Sequence, residues 1–308
     1  MKKLFSILLF AQLTFAAVVN YTYDTAGRLT KVDYGPSGNV TYTYDKAGNI
    51  LSRVVAAGST AAAITAVKVA WGGTTISSNA WLEIHGNNLV PANTPAEGVI
   101  WSTAPEFAQG KMPTKIGDVS VTINGKPAYI YFYCSAVTSA CATDQINVLA
   151  PAAPLSGSVP VVVTTSAGST APFSAPTAAA SPSFLFFTPA GNIIAQHTDY
   201  SLAGPATLYP GATTPAKAGE TLLVYTVGFG LPTSTITEGS SSQSGQLGSP
   251  TTCTVGTSQT TPIMTLISPG LYQMNLTIPL DVKPGDNQLL CTYNGVTTQP
   301  GAVVSVKP

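Results

Sequence analysis

Charged side chains are scarce in this sequence. Asp, Glu, Lys and Arg make up 8% of its 308 residues, and 13 basic residues balance 13 acidic ones. An average soluble protein has about 25% charged residues. Binding to a nucleic-acid backbone requires a clustered excess of Lys and Arg. The sequence therefore predicts no nucleic-acid partner.

Histidine is scarcer still, since the chain has only His85 and His197. A hydrolytic triad needs a histidine base beside a nucleophile and a carboxylate, and a zinc site needs histidines or cysteines at short spacings. Neither histidine lies at such a spacing from a cysteine. We predict no catalytic residue, no metal site and no cofactor. An enzyme remains an alternative through His197, which is followed closely by Asp199.

Long apolar runs are missing except at the start of the chain. Two lysines precede a mainly apolar run from Leu4 to Phe15, and small residues follow at Ala16 and Ala17. This is the layout of a secretory signal peptide, and about twelve helical residues are too short to span a bilayer. We predict a signal peptide over 1–16, no membrane span after its removal, and export to the cell surface or the medium, or to the periplasm.

Cysteine is limited to four residues, which in an exported chain predict two disulfides. Four cysteines allow three pairings, and the sequence alone does not select one of them. Local order favours one short bridge and one long bridge: Cys134 with Cys141, and Cys253 with Cys291.

Residues 20–53 contain an internal repeat. The segment Tyr21-Thr-Tyr-Asp-Thr-Ala-Gly-Arg-Leu recurs as Tyr42-Thr-Tyr-Asp-Lys-Ala-Gly-Asn-Ile, so the repeat period is the spacing from Tyr21 to Tyr42. In each unit the Asp is placed to accept turn hydrogen bonds and the Gly to take a positive φ, so a unit is predicted as strand, tight turn and strand. These units, assigned to residues 17–56, resemble the YD repeats of the Rhs family, whose arrays build β shells or surface stalks. Two copies are too few to enclose a cavity.

The remainder of the chain predicts short strands separated by turns, because 28 Gly and 24 Pro residues interrupt every candidate helix. Gln145-Ile-Asn-Val-Leu-Ala-Pro corresponds to Gln273-Met-Asn-Leu-Thr-Ile-Pro, which indicates a duplication. The fold class is therefore all-β, with two tandem immunoglobulin-like sandwiches after the YD hairpins. The predicted segments are a linker over 57–64, a first sandwich over 65–176, a linker with connecting strands over 177–217, and a second sandwich over 218–308.

The strand and turn spacing resembles that of IPT/TIG domains, which are immunoglobulin-like modules of surface and exported proteins. Residues 65–308 also resemble an uncharacterised C-terminal domain family of acidobacterial exported proteins. That resemblance rests on the segments VSVTINGKPAY from Val119, DQINV from Asp144, PAKAGE from Pro215 and GFG from Gly228. It implies an exported immunoglobulin-like architecture and no established activity.

Aromatic residues are the main candidates for ligand binding. Tyr129, Tyr131 and Tyr133 alternate with apolar residues, so in a regular strand the three rings share one face. An exposed row of rings could stack on sugars or contact a protein, whereas a covered row would only pack. Trp101 lies in the long connection 87–117 and either binds or folds back as a plug.

Together these features favour an exported, non-catalytic interaction or adhesion module that binds a protein or a polysaccharide of the cell envelope. A carbohydrate-binding protein that uses Trp101 and the three tyrosines is one alternative. A C-terminal structural remnant of a longer Rhs-like surface protein is another. The oligomeric state stays open at this level.

Overall fold

The computed structural model describes residues 19–34, 38–57, 61–138 and 141–307. The predicted signal peptide lies outside these residues. In the described ranges there is no α-helix, and two 3₁₀ turns occur at Trp101–Thr103 and Ala136–Thr138. No helix there is long and apolar enough to cross a bilayer. The predicted all-β fold with two tandem sandwiches is confirmed.

The YD repeats form one four-stranded antiparallel sheet in chain order, which we call the YD sheet. Each repeat contributes one hairpin, and the two hairpins pair through their inner strands. The strands are β1 (Asn20–Tyr23), β2 (Leu29–Asp33), β3 (Gly38–Tyr44) and β4 (Ile50–Ala57).

The first sandwich packs two sheets around one core. One sheet has the order β5-β6-β12-β11-β7, and the other has β10-β9-β13-β14 with β15 on β13 and β8 on β9. Their strands are β5 (Ala63–Val69), β6 (Trp81–Asn87), β7 (Val99–Ile100), β8 (Lys115–Ile116), β9 (Val119–Ile123), β10 (Lys126–Pro127), β11 (Tyr129–Cys134), β12 (Asp144–Leu149), β13 (Ser158–Thr165), β14 (Gly168–Ser169) and β15 (Phe173–Pro176).

The second sandwich repeats this arrangement. One sheet runs β19-β18-β17-β20-β25-β24-β21 with β16 also on β20, and the other runs β23-β22-β26-β27 with β28 on β26. The strands are β16 (Ser183–Phe184), β17 (Ala195–Gln196), β18 (Leu202–Ala203), β19 (Thr213–Thr214), β20 (Thr221–Val227), β21 (Gly245–Gln246), β22 (Thr252–Val255), β23 (Ser258–Thr260), β24 (Ile263–Ser268), β25 (Leu271–Thr277), β26 (Gly285–Tyr293), β27 (Val296–Thr297) and β28 (Val303–Val306).

The second sandwich begins earlier than residue 218, the boundary set from the sequence. Strands β16 to β19 fall within 177–217 and are hydrogen-bonded into its larger sheet. Each of these strands has only two residues. Strands this short show no alternation of apolar and polar residues, so their sequence does not distinguish them from a linker.

A glycine lies near the end of one central strand in each sandwich and is packed closely there. A Cβ added to Gly86 in β6 would lie 2.1 Å from Ala63 O, and a Cβ added to Gly228 just after β20 would lie 2.0 Å from Ser181 O. Only glycine allows the neighbouring segment to pass so closely. Each of these two positions therefore requires glycine.

The two sandwiches share an apolar interface. The core of the first continues into five buried residues of the second: Phe187, Ile194, Tyr225, Val227 and Leu271. Across this interface Trp81 Nε1 donates to Pro269 O at 2.7 Å, and Ser183 Oγ donates to Ala70 O at 2.8 Å. An apolar interface with specific hydrogen bonds holds the sandwiches in one orientation.

Candidate functional site

Trp101 is buried against one sheet of the first sandwich, as a plug. It begins a 3₁₀ turn in the connection between β6 and β8 and is only 6% exposed. Its ring packs against Trp81, Phe107 and Tyr131, with centroids 5.8, 5.2 and 4.9 Å away. Such aromatic pairs add to the stabilisation from buried area. The long connection therefore covers the outer face of the sheet.

An exposed row of tyrosines on β11 does not form. Tyr131 and Tyr133 are buried, with 3% and 6% of their surfaces exposed. A β-bulge between Ile130 and Phe132 inserts one extra residue, so the simple alternation behind the predicted row is broken. Burial raises the pKa of the Tyr131 phenol, and burial with nearby carboxylates raises that of Tyr133. These two rings pack rather than present an open face.

Tyr129 is partly exposed and lies under a segment of the second sandwich. A Cβ added to Gly239 would approach its ring to 3.2 Å. The covering segment is fixed by Met112 N, which donates to Gly239 O at 2.8 Å, and by Ser241 N, which donates to Gly110 O at 2.7 Å. Burial, together with the Glu238 carboxylate, raises the pKa of Tyr129. The tyrosine is therefore part of the contact between the sandwiches.

Neither histidine belongs to a catalytic arrangement of the kind considered from the sequence. His197 Nδ1 lies 2.5 Å from Glu220 Oε1 rather than beside Asp199, and Asp199 instead accepts from Ser201 N and Oγ. Burial acts to raise the pKa of Glu220, but hydrogen bonds from His197 and the Lys217 amide outweigh it and lower that pKa. The pair joins two loops at the surface.

His85 has a similar environment on the first sandwich. Its Nε2 lies 3.3 Å from Glu83 Oε2, and Lys68 Nζ lies 2.9 Å from the same oxygen. Burial acts to raise the pKa of Glu83, but His85 and Lys68 hold it below its usual value. Among the residues that the structure describes, no group of three or more His, Cys, Asp or Glu could hold a metal ion.

The duplicated Gln and Asn residues bond to each other. Gln145 Nε2 donates to Asn147 Oδ1 at 2.8 Å, and Gln273 Nε2 donates to Asn275 Oδ1 at the same distance. In each sandwich this bond runs along a single strand. Both members lie on the same face because alternate residues of a strand point the same way.

Both predicted disulfides are present. Cys134 is bonded to Cys141 across the turn between β11 and β12, and Cys253 is bonded to Cys291 between the adjacent strands β22 and β26. The described residues contain no free cysteine.

The turns of the YD sheet are built as the repeat predicts. Asp24 Oδ1 accepts from the amides of Ala26 and Arg28, and Asp45 Oδ1 accepts from those of Ala47 and Asn49, all at 2.8 to 2.9 Å. Gly27 and Gly48 have φ values of 76° and 91°. Hydrogen bonds from the backbone and side chain of Arg28 lower the pKa of Asp24, and those from the side chain and backbone of Asn49 lower that of Asp45.

Acid is expected to open these turns. The pKa of both carboxyls in the folded chain lies below 3.8. The contribution of the ionised carboxylates to the stability of the turns is therefore complete above pH 3.8, and it is lost as the pH falls through the pKa of the folded state. The measurement is a carboxyl NMR titration of Asp24 and Asp45 together with amide exchange at Gly27 and Gly48. Asp24→Asn is the control and should remove the acid-dependent step in the first turn only. Titration midpoints at or above 3.8 would contradict the expectation.

One face of the YD sheet is largely apolar, with buried residues at its centre and exposed ones at its edges, and the sequence analysis did not predict it. Tyr21, Val32, Val40 and Val55 lie opposite one another in successive strands, so they share this face, which we call the YD face. Val32 and Val40 at its centre are buried, whereas Tyr21 and Val55 at its edges are 57% and 59% exposed. Neither buried valine belongs to the core of either sandwich.

The sequence contained a signal for this face. In the repeated Tyr-Thr-Tyr segments the tyrosines alternate with threonines, which places aromatic rings on one side of the sheet and hydroxyls on the other. A layered fold requires a second layer over an apolar face. Residues 17–56 alone are too few to supply one.

Residues 23–60 match the family model described as RHS Repeat. No curated protein matches the chain. Solved structures resemble it at low identity, among them the following three. The first is SGBP-B of the Bacteroides ovatus mixed-linkage glucan utilization locus, solved with a mixed-linkage heptasaccharide (11% identity, 90% of this chain, 53% of that one, TM-score 0.30).

The second is SGBP-B from a complex xyloglucan utilization locus in Bacteroides uniformis (17% identity, 79% of this chain, 49% of that one, TM-score 0.22). The third is a pair of tandem immunoglobulin domains of titin (12% identity, 80% of this chain, 96% of that one, TM-score 0.20). The chain spans about half the length of the two SGBP-B structures. At these TM-scores the likenesses carry no argument about activity. Residues 23–60 are an RHS repeat segment, and two immunoglobulin-like sandwiches follow it.

Proposed function

We propose that the chain is an exported, non-catalytic interaction module that contacts a protein or a polysaccharide of the cell envelope through its YD sheet. The two sandwiches form the base that carries this sheet. Export is supported by the charged, apolar and small-residue layout from Lys2 to Ala17. It is also supported by two disulfides, which persist in oxidising compartments.

The observation that carries the proposal is the distribution of exposed apolar side chains. Of the fourteen large exposed hydrophobic residues in the described part of the chain, seven lie on the YD sheet or its turns. These seven are Tyr21, Tyr23, Tyr34, Ile50, Leu51, Val54 and Val55. A concentration of exposed apolar surface marks an interaction site. Trp101, Tyr131 and Tyr133 are buried in the first sandwich. We therefore place the contact surface on the YD sheet and not at these residues.

The test is co-sedimentation of the mature chain with envelope fragments of the source cells. We expect retention to fall at least several-fold in the double variant Tyr21→Ser, Tyr23→Ser, because the two most exposed rings of the YD sheet are lost. Leu280→Ser is the matched control, since Leu280 is 83% exposed on the second sandwich, and should bind as the unchanged chain does.

Two outcomes would contradict the proposal. Absence of retention for the unchanged chain removes the interaction function. Equal retention of the double variant and the unchanged chain removes the YD sheet as the contact surface. Circular dichroism of each variant checks that the sandwiches stay folded.

A further inference from the structure

The YD sheet has two open edges. Among the described residues β1 and β4 each pair with only one neighbouring strand. An edge strand presents unpaired N–H and C=O groups, and natural proteins block such edges with charges, proline or bulges. The residues of β1 include no charge and no proline, and those of β4 include one charge, Arg53, no proline and one bulge at Leu51. Strand β2 has the equivalent bulge at Thr30 and still pairs with β3, so such a bulge does not block pairing. The open edges are therefore only weakly protected.

The contact between the two repeats shows what fits such an edge. Strand β2 of the first repeat pairs with β3 of the second, with Lys31 opposite Thr41 and Val32 opposite Val40. Side chains reinforce this pairing: Arg28 lies 4.7 Å above the Tyr44 ring, and Tyr44 Oη donates to Leu29 O at 2.7 Å. The outer strand of one repeat is thus built to receive the first strand of the next.

Equivalent strand edges lie at the two ends of the sheet, each with one neighbouring strand among the described residues, and Asn49 and Tyr23 stand there in the places of Arg28 and Tyr44. Strand β4 is the outer strand of the second repeat and corresponds to β2, while β1 is the first strand of the first repeat and corresponds to β3. We propose that β4 of one chain receives β1 of a second copy, so that the copies continue the repeat array by strand addition. Because the contact joins different surfaces, it extends head to tail and does not close on itself as a twofold dimer does.

The repeat period sets the register of this contact. Ser52 follows Lys31 by one repeat period, and Asn20 precedes Thr41 by one period. In the observed contact between the repeats, Lys31 lies opposite Thr41. If the contact between two copies has the same register, Ser52 of one copy lies opposite Asn20 of the other. Both side chains lie on the polar face of the YD sheet, since Ser52 pairs with Thr43 and Asn20 pairs with Asp33. Residues opposite each other across strands must share a face, and this pair does.

A short added strand gains few hydrogen bonds, and each contributes little net free energy, so the association is weak and is best trapped covalently. The described native cysteines are all in disulfides and do not compete. We expect a mixture of Ser52→Cys and Asn20→Cys chains, under mild oxidation, to form at least tenfold more disulfide-linked dimer than either chain alone. The displaced pair Ser52→Cys and Thr22→Cys is the matched control and should crosslink several-fold less.

Three outcomes would overturn the inference. If Ser52→Cys chains alone form as much dimer as the mixture with Asn20→Cys chains, the contact is twofold and not head to tail. Equal yields from the matched and displaced pairs indicate random collision. Absence of dimer in every mixture removes self-association. The inference rests on the proposed interaction function and names a partner for the same sheet. The two are separable, because crosslinking is measured with purified chains and retention with envelope fragments at protein concentrations too low for self-association.

Discussion

Replacing Trp101 by alanine is expected to lower the free energy of unfolding of the first sandwich by about 3–5 kcal/mol. The ring is almost fully buried and contacts three other aromatic rings. Its removal leaves a cavity that Phe107 and Tyr131 fill only in part, since both are held by their own strands or loops. Urea unfolding followed by circular dichroism measures the change.

Two variants separate this effect from general sensitivity to substitution. Trp101→Phe keeps a ring in the plug and should lose clearly less than the alanine variant. Tyr21→Ala removes an exposed ring of similar size and should change stability by about 0.5 kcal/mol or less. A loss below about 1 kcal/mol for Trp101→Ala, which is small for a buried aromatic ring, would show that the connection does not act as a plug.

The architecture could be predicted because it depends on patterns that repeat. The matching Gln145 and Gln273 segments both lie on central strands, β12 and β25, of equivalent sheets. The Asp24 and Asp45 turns follow from local chemistry, because a carboxylate and a glycine at this spacing satisfy the turn amides without help from distant residues. Both features are local or duplicated, and such features leave a clear pattern in one sequence.

The candidate site could not be predicted because it depends on contacts between distant residues. The predicted tyrosine row fails at one bulge in β11 and at a cover supplied by Trp101 and Phe107. The bulge has no residue signature in the sequence, and the cover comes from a connection without regular alternation. Conversely, the exposed apolar residues at the edges of the YD face become visible only once the burial of each side chain in the folded chain is known.

Replacing the long disulfide by a valine pair is expected to cost about 4 kcal/mol of stability in the second sandwich. Cys253 and Cys291 lie opposite each other in β22 and β26 and are separated by 38 positions in sequence. A cross-link over a loop of this length restricts the unfolded chain by about 4 kcal/mol in the chain-entropy model. Val121 and Val163 occupy the equivalent positions of the first sandwich, since the spacing from Val163 to Cys291 equals the spacing between the duplicated glutamines.

A valine pair already packs at the equivalent position of the first sandwich. The variant Cys253→Val, Cys291→Val should therefore fold with its sheet intact. All four of these side chains are at most 2% exposed. The matched comparison is Cys134→Ala, Cys141→Ala, whose much shorter sequence separation predicts a smaller loss of about 2.5 kcal/mol. Unfolding of both double variants under oxidising conditions measures the difference. If the valine variant were as stable as the unchanged chain, the second sandwich would be held by its core alone and would not depend on the bridge.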